Sequence, residues 1–175
     1  MATDGKKSKS ASAQAERMFS TSNDLGEDVR SKSVALLNQQ LADSLDLYSQ
    51  LKQAHWNVEG KDFYQLHLLF DEFAEHAQEW IDEIAERATA LGGYATGTVR
   101  MSAANTTLPE YPTDVIEGMD HTRCVVERLA NYAASTREAI DQSEEWGDAS
   151  TADLFTEISR GVDKDLWFAE AHLQG

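Results

Sequence analysis

Apolar residues that return every three or four positions, in four separate segments and without the alternation of a strand, restrict this chain to a bundle of amphipathic helices. Val34, Leu37, Leu41, Leu45, Tyr48 and Leu51 predict a helix from about residue 28 to 58, ending before Gly60. A second runs from Asp62, a suitable N-cap, to Leu91, where Gly92 and Gly93 stop it. Val115, Met119, Thr122, Val126, Leu129, Ala133, Thr136 and Ile140 carry a third, capped by Thr113 or Asp114. After Gly147, the residues Phe155, Ile158, Val162, Leu166, Ala169 and Leu173 carry a fourth.

Between the second and third helices, GGYATGTVRMSAANTTLPEYP holds both prolines and three of the ten glycines of the chain. It is too long to join antiparallel neighbours and reads as a crossover. Two helical hairpins joined in this way make an all-α, ferritin-like four-helix bundle, one domain over residues 28–175. Residues 1–27, rich in Ser, Ala and Lys and without helical period, are expected to form a mobile N-terminal arm. No apolar run is long enough for a membrane span, and no apolar core follows the first lysines as in a secretory signal, so a cytoplasmic location is expected. The single cysteine, Cys124, excludes an intrachain disulfide and a cysteine-based zinc site. A net charge of -16 is costly in dilute salt. It is tolerable where the Debye length falls to about 3 Å, which points to a salt-rich, halophilic cytoplasm.

The second helix carries the chemistry. With Asp71 at zero on a helical wheel, Asp82, Glu75, Glu86, Glu79, Glu72 and Glu83 fall between roughly 20 and 120°. Leu69, Trp80, Phe73, Leu66, Ile84, Phe70 and Ile81 occupy the opposite face, with Leu68 the chief exception. Seven acids in this span are either a solvated face or a cation-binding one, because like charges at this density repel unless neutralised. Histidines tilt the balance, since imidazole with carboxylate suits non-haem iron whereas carboxylates alone suit calcium or magnesium. His67 and Asp71 lie four apart on one face, as do Asp82 and Glu86, but His67 and Asp82 are fifteen residues apart, about 22 Å along a helix. One ion cannot touch both pairs within one chain. Two copies of the helix, antiparallel about a two-fold axis near His76 and Ala77, would bring His67 and Asp71 of one chain opposite Asp82 and Glu86 of the other and create two equal sites. A di-iron site inside one bundle needs Glu-x-x-His, and none of the five histidines has Glu three residues before it.

KQAHWNVEG, FYQLHLLFDEF, DEIAERATALGG, YPTD and TADLFTEISRGVDKDLWFAEAHL together resemble the Dps family (DNA protection during starvation), or mini-ferritins, over most of residues 30–173. The resemblance implies a ferroxidase centre between two subunits, with His55, His67 and Asp71 from one chain and Asp82 and Glu86 from its mate. It implies iron as the metal, oxidation of Fe(II) preferably by hydrogen peroxide, and storage as a ferric oxyhydroxide core in a hollow homododecamer. Trp56 resembles a tryptophan beside that centre, where it could intercept radical equivalents; plain packing is the alternative. Glu72, Glu75 and Glu79 could nucleate mineral or be ordinary solvated acids. Asp148 and Asp153 could line an acidic entry pore or compensate a helix N-terminus. His76, His121 and His172 match no ligand position, and His76 is expected near its mate at the two-fold axis.

Three functions are open on this footing: a peroxide-consuming iron-storage cage, a DNA-binding nucleoid protein that stores iron secondarily, and a helical assembly without metal chemistry. The intact ligand set opposes the third. Against the second, Lys6, Lys7, Lys9 and Arg17 of the first 17 residues face Asp4 and Glu16 and a chain charge of -16, so direct DNA contact is not expected.

Overall fold

In the computed structural model, which describes residues 17–174, the apolar stripes close on one another as two helical hairpins. Helix α1 (Glu27–Asn57) pairs with α2 (Phe63–Ala90), and α4 (Gly118–Trp146) pairs with α5 (Ala149–Ala171). A short α3 (Val99–Asn105) interrupts the crossover and packs on α1. The hairpins meet through α1 against α4 and α2 against α5. Leu37, Leu41, Leu47 and Leu51, Leu66, Phe70, Phe73 and Ile84, Leu129 and Tyr132, and Phe155 are buried at the centre. No strand forms among the described residues, only an isolated bridge between Glu59 and Glu117. No helix among them is long and apolar enough to cross a membrane. The chain is thus the all-α four-helix bundle with a long crossover that its periodicity predicts.

Two close approaches fix the helix spacing. A Cβ on Gly93 would stand 2.4 Å from a Val34 methyl, and one on Gly161 would stand 2.8 Å from the Trp80 ring, so both positions exclude a side chain. The crossover is tied down by buried polar groups as well as apolar ones. Asp43 of α1, 1% exposed, accepts from the Thr107 amide at 2.6 Å and from both threonine hydroxyls at 106 and 107. The Gln50 amide donates to the Pro109 carbonyl, and Arg128 of α4 donates to Gln50 and to the Glu110 carbonyl.

Several boundaries differ from the sequence pattern. The third long helix begins at Gly118, with Glu117 extended as its N-cap, and not at Thr113 or Asp114. Residues just before it must pass under the α1–α2 turn. The Glu59 bridge holds them extended, and a Cβ on Gly118 would lie 2.9 Å from Leu66. Asp62 occupies the N-cap position of α2, but its carboxylate accepts from the Gln65 side chain instead of capping the helix. The arm expected over residues 1–27 lies outside the described residues as far as residue 16. From residue 17 onward the structure departs from a free arm. Met18 and Leu25 pack against the core, the Phe19 amide donates to the Gly92 carbonyl at 2.6 Å, and Arg30 bridges the Leu25 and Leu91 carbonyls.

Asp148 shows how the far end of the bundle is locked. It is 1% exposed, N-caps α5 through the Thr151 amide at 3.1 Å, accepts the Thr151 hydroxyl at 2.6 Å, and pairs with Arg87 of α2 at 2.7 Å. Burial opposes its charge, yet the Thr151 hydrogen bonds and the Arg87 guanidinium outweigh burial and hold its pKa below the usual 3.8. A carboxyl with a lowered folded pKa contributes stability above its unfolded pKa and loses it as pH falls through the folded value. Asp148→Ala is therefore expected to cost about 2–4 kcal/mol at neutral pH. In thermal melts, the gap from wild type should hold steady down to about pH 4 and close below it. A gap that widens below pH 4 contradicts this reading.

Candidate metal centre at the open face of helix α2

His55 sits in the last turn of α1 and His67 in the second turn of α2, across a five-residue turn from each other. Their rings stack with centroids 3.7 Å apart. Each Nδ1 meets the other residue's main-chain carbonyl, His55 to His67 at 2.7 Å and His67 to His55 at 2.8 Å. A carbonyl only accepts, so both Nδ1 atoms carry a proton, which in the neutral rings leaves the lone pair on Nε2. Two imidazoles are thereby oriented and tautomer-selected for coordination by the backbone of the hairpin itself.

Asp71, one turn beyond His67, adds a carboxylate whose Oδ1 lies 3.9 Å from His55 Nδ1. It forms an ion pair with Lys52 of α1. That hydrogen bond holds the Asp71 carboxyl below its usual range in spite of partial burial. The same ammonium stands 6.0 Å from the Trp56 ring. Trp56 itself is 67% exposed, and Phe63, Tyr64 and Leu68 beside the site are also exposed. Such an apolar rim around a polar cluster suits an interface.

Asp82 and Glu86 project from the exposed face of α2, four residues apart. The structure does not bring them to His55, His67 and Asp71 within the chain. Among the described residues, no group of three His, Cys, Asp or Glu side chains is gathered tightly enough to hold a metal ion. Glu72, Glu75 and Glu79 are exposed on the same face, and Glu75, Glu79 and Asp82 border one open depression. Burial first, then the neighbouring Glu157, Glu79 and Asp82 carboxylates, push the Glu83 pKa up.

Other positions singled out in the sequence behave differently. Asp148 is a buried cap and ion-pair partner, whereas Asp153 is exposed beside Glu144 in an open groove at the α4–α5 turn. His76 is engaged within its own chain: its Nδ1 lies 3.0 Å from the carboxylate of Asp165, a buried acid of α5. Burial pushes Asp165 up to about 6, against the pull of His76. Lys52 and Asp165 carried no sequence signal as partners, because each contact joins different helices. The one available clue was that Lys52 precedes His55 by three residues, on the same face of α1.

A model of the ferritin-like domain matches residues 34–175. The DNA protection during starvation protein of Agrobacterium fabrum is 44% identical over 154 residues, covering 88% of this chain and 95% of that protein. The chain belongs to the Dps family of ferritin-like proteins. Among solved structures, DpsC from Streptomyces coelicolor superposes with a TM-score of 0.87 at 35% identity, over 91% of this chain and 94% of that one. A dps-homologue from the archaeon Halobacterium salinarum gives 0.85 at 33% identity, over 91% and 88%. Iron binding follows in general terms from membership of this Dps family, and His55, His67 and Asp71 are residue types that suit a transition metal, though the described residues of one chain do not gather them into a complete site.

Proposed function

We propose that this Dps-family protein oxidises Fe(II) with hydrogen peroxide at centres shared between two subunits and stores the product as a ferric oxyhydroxide core inside a cytoplasmic homododecamer. The observation that carries the reading is the His55–His67 lock, which in the neutral rings leaves both Nε2 lone pairs free near Asp71, while Asp82 and Glu86 of the same chain lie further along α2. An antiparallel α2 from a mate supplies the missing Asp82 and Glu86, since fifteen residues of helix span about 22 Å and a two-fold axis matches one end to the other.

Iron is the substrate. Two Fe(II) ions give up one electron each, and one peroxide with two protons becomes two waters, so no hydroxyl radical is released. The chain contributes binding and charge. His55 and His67 donate lone pairs, and Asp71, Asp82 and Glu86 neutralise the cations and favour Fe(III) as the harder ion. Lys52 must leave Asp71 for iron to enter, which makes its ammonium an electrostatic competitor with the metal. Glu72, Glu75 and Glu79, exposed on the same face, are suited to receive Fe(III) as mineral nucleation sites, and Trp56 stands ready as an oxidisable ring. Consuming iron and peroxide together removes both Fenton reagents, which protects DNA without touching it. A DNA-binding nucleoid role is the weaker reading, opposed by the charge of -16 per chain.

The direct test titrates Fe(II) anaerobically and then adds peroxide. His67→Ala combined with Asp82→Ala should abolish the rapid oxidation while sedimentation and circular dichroism show an assembled helical cage. Oxidation at the unmodified rate would remove the interface centre from consideration. Lys52→Gln should tighten binding of redox-silent Zn(II), by up to about fivefold, the worth of a partly exposed ion pair near 1 kcal/mol. Weaker Zn(II) binding in the variant would mean that Lys52 assists the centre and does not compete with it.

A further inference from the structure

Between α1 and α4 the two hairpins leave a groove that the metal centre does not use. The helices within each hairpin pack more closely than α1 packs on α4. At the seam stand Ala35 and Ser135, whose side chains are too short to fill it. The result is an open groove of about 440 Å³, the size of a small-ligand site. It runs from Lys32 and Trp146 to Asp43 and Thr107, and the eleven residues of α1 between its ends span about 16 Å. Asp43, the end nearer the candidate metal centre, still precedes His55 by twelve residues, about 18 Å along α1.

Gln40 makes the groove more than a packing defect. Its side chain lines the space and is 3% exposed. The amide nitrogen reaches the Ser135 carbonyl of α4 at 3.5 Å, whereas Oε1 has no hydrogen-bond partner among the described residues. A buried acceptor without a donor costs stability that a methionine at this position would avoid. The neighbouring glutamine shows the contrast. Gln39 donates to the Asp43 carboxylate at 3.1 Å and to the Asn105 carbonyl at 2.9 Å, and so serves the fold. Gln40 Oε1 lacks a donor, and the groove is where one can arrive.

The rest of the lining selects among donors. Lys32 comes from α1, its ammonium 6.0 Å from the Trp146 ring, and Glu138 comes from α4. Asp43 adds a second carboxylate at the far end. A cationic ligand meets repulsion from Lys32, and an anionic one from Glu138 and Asp43, so charge favours a neutral ligand. The Trp146 ring and Leu36 offer apolar surface to C–H groups. Hydroxyl groups can donate to Gln40 Oε1 and Glu138 and can accept from Lys32 and the Gln142 amide. We propose that this groove binds a neutral saccharide of disaccharide size, either free or as the end of a longer chain. One sugar ring lies against Trp146, and a hydroxyl supplies the donor that Gln40 lacks.

The test titrates the assembled protein calorimetrically with maltose, trehalose and cellobiose, and then with maltoheptaose. Saturable binding of at least one disaccharide is expected, at one site per chain and with a Kd of about 1 mM or tighter. Tighter binding of maltoheptaose than of maltose assigns the site to a chain end, and equal binding assigns it to the free sugar. Glu138→Ala, on the exposed rim, and Trp146→Ala should each weaken binding about tenfold. Gln40→Met should weaken it to a similar degree while thermal stability stays level or rises, which a glutamine needed by the fold would not allow. Should Trp146→Ala fail to fold, Glu138→Ala and Gln40→Met decide the matter. Fe(II) oxidation should be unchanged in all the variants that fold, since the groove lies apart from the metal centre. No binding of any of these sugars overturns the proposal, as does binding that survives Glu138→Ala and Gln40→Met at full strength. Saturable binding of spermidine or decanoate at this groove in place of a sugar overturns it as well.

Discussion

A continuous α-helix cannot bring two of its own residues, fifteen positions apart, to one point. That constraint governs what α2 can do with its histidine and carboxylates. The helix is held against the other helices by the burial of Leu66, Phe70, Phe73, Trp80 and Ile84, and by the approach of α5 that Gly161 permits under Trp80. Its opposite face, from Asp71 to Glu86, is left open and negative. On the proposed reading, a two-sided helix with half a ligand set at each end is an incomplete object. Repetition about a two-fold axis is the simplest way to complete it, and it completes two centres at once.

The turn between α1 and α2 does for the histidines what a second layer of side chains does in most metal sites. His55 and His67 hold each other through their main-chain carbonyls, so the hairpin that builds the fold also sets the tautomers. Lys52 pairs with Asp71 on the same cluster, and on the proposed reading it yields that carboxylate to the metal. Function and folding share the same few contacts here, and the open side of the cluster is where the exposed Trp56, Phe63 and Tyr64 lie.

Periodicity carried most of the architecture, because hydrophobic spacing is local information: the four long helices, the crossover and the two faces of α2 were all legible. The polar core was not. His121, Arg128 and Tyr132 are buried on α4 among the apolar residues, and Asp43 and Asp165 are buried carboxylates. Their partners, Tyr111, Gln50, Ser44, Thr107 and His76, come from other elements, so no local pattern announces them. The late start of α4 has the same origin, since a bridge to Glu59 across the bundle holds the preceding residues extended. At the candidate centre the shared faces of His67 with Asp71 and of Asp82 with Glu86 were legible from spacing, whereas the Lys52 ion pair and the carbonyl lock of the two histidines required coordinates.

Sharing of ligands between two chains is the central claim, and complementation between two inactive variants measures it most directly. One variant lacks His55 and His67, and the other lacks Asp82 and Glu86. Each alone leaves every centre with half its ligands. In a mixed pair, one centre collects both defects, while the other receives His55, His67 and Asp71 from one chain and Asp82 and Glu86 from its mate. Unbiased co-assembly makes half the pairs mixed, each with one intact centre of two, so fast Fe(II) oxidation should return to about a quarter of the wild-type amplitude. Mixed cages, shown as such by mass spectrometry, that recover no fast phase would contradict the account.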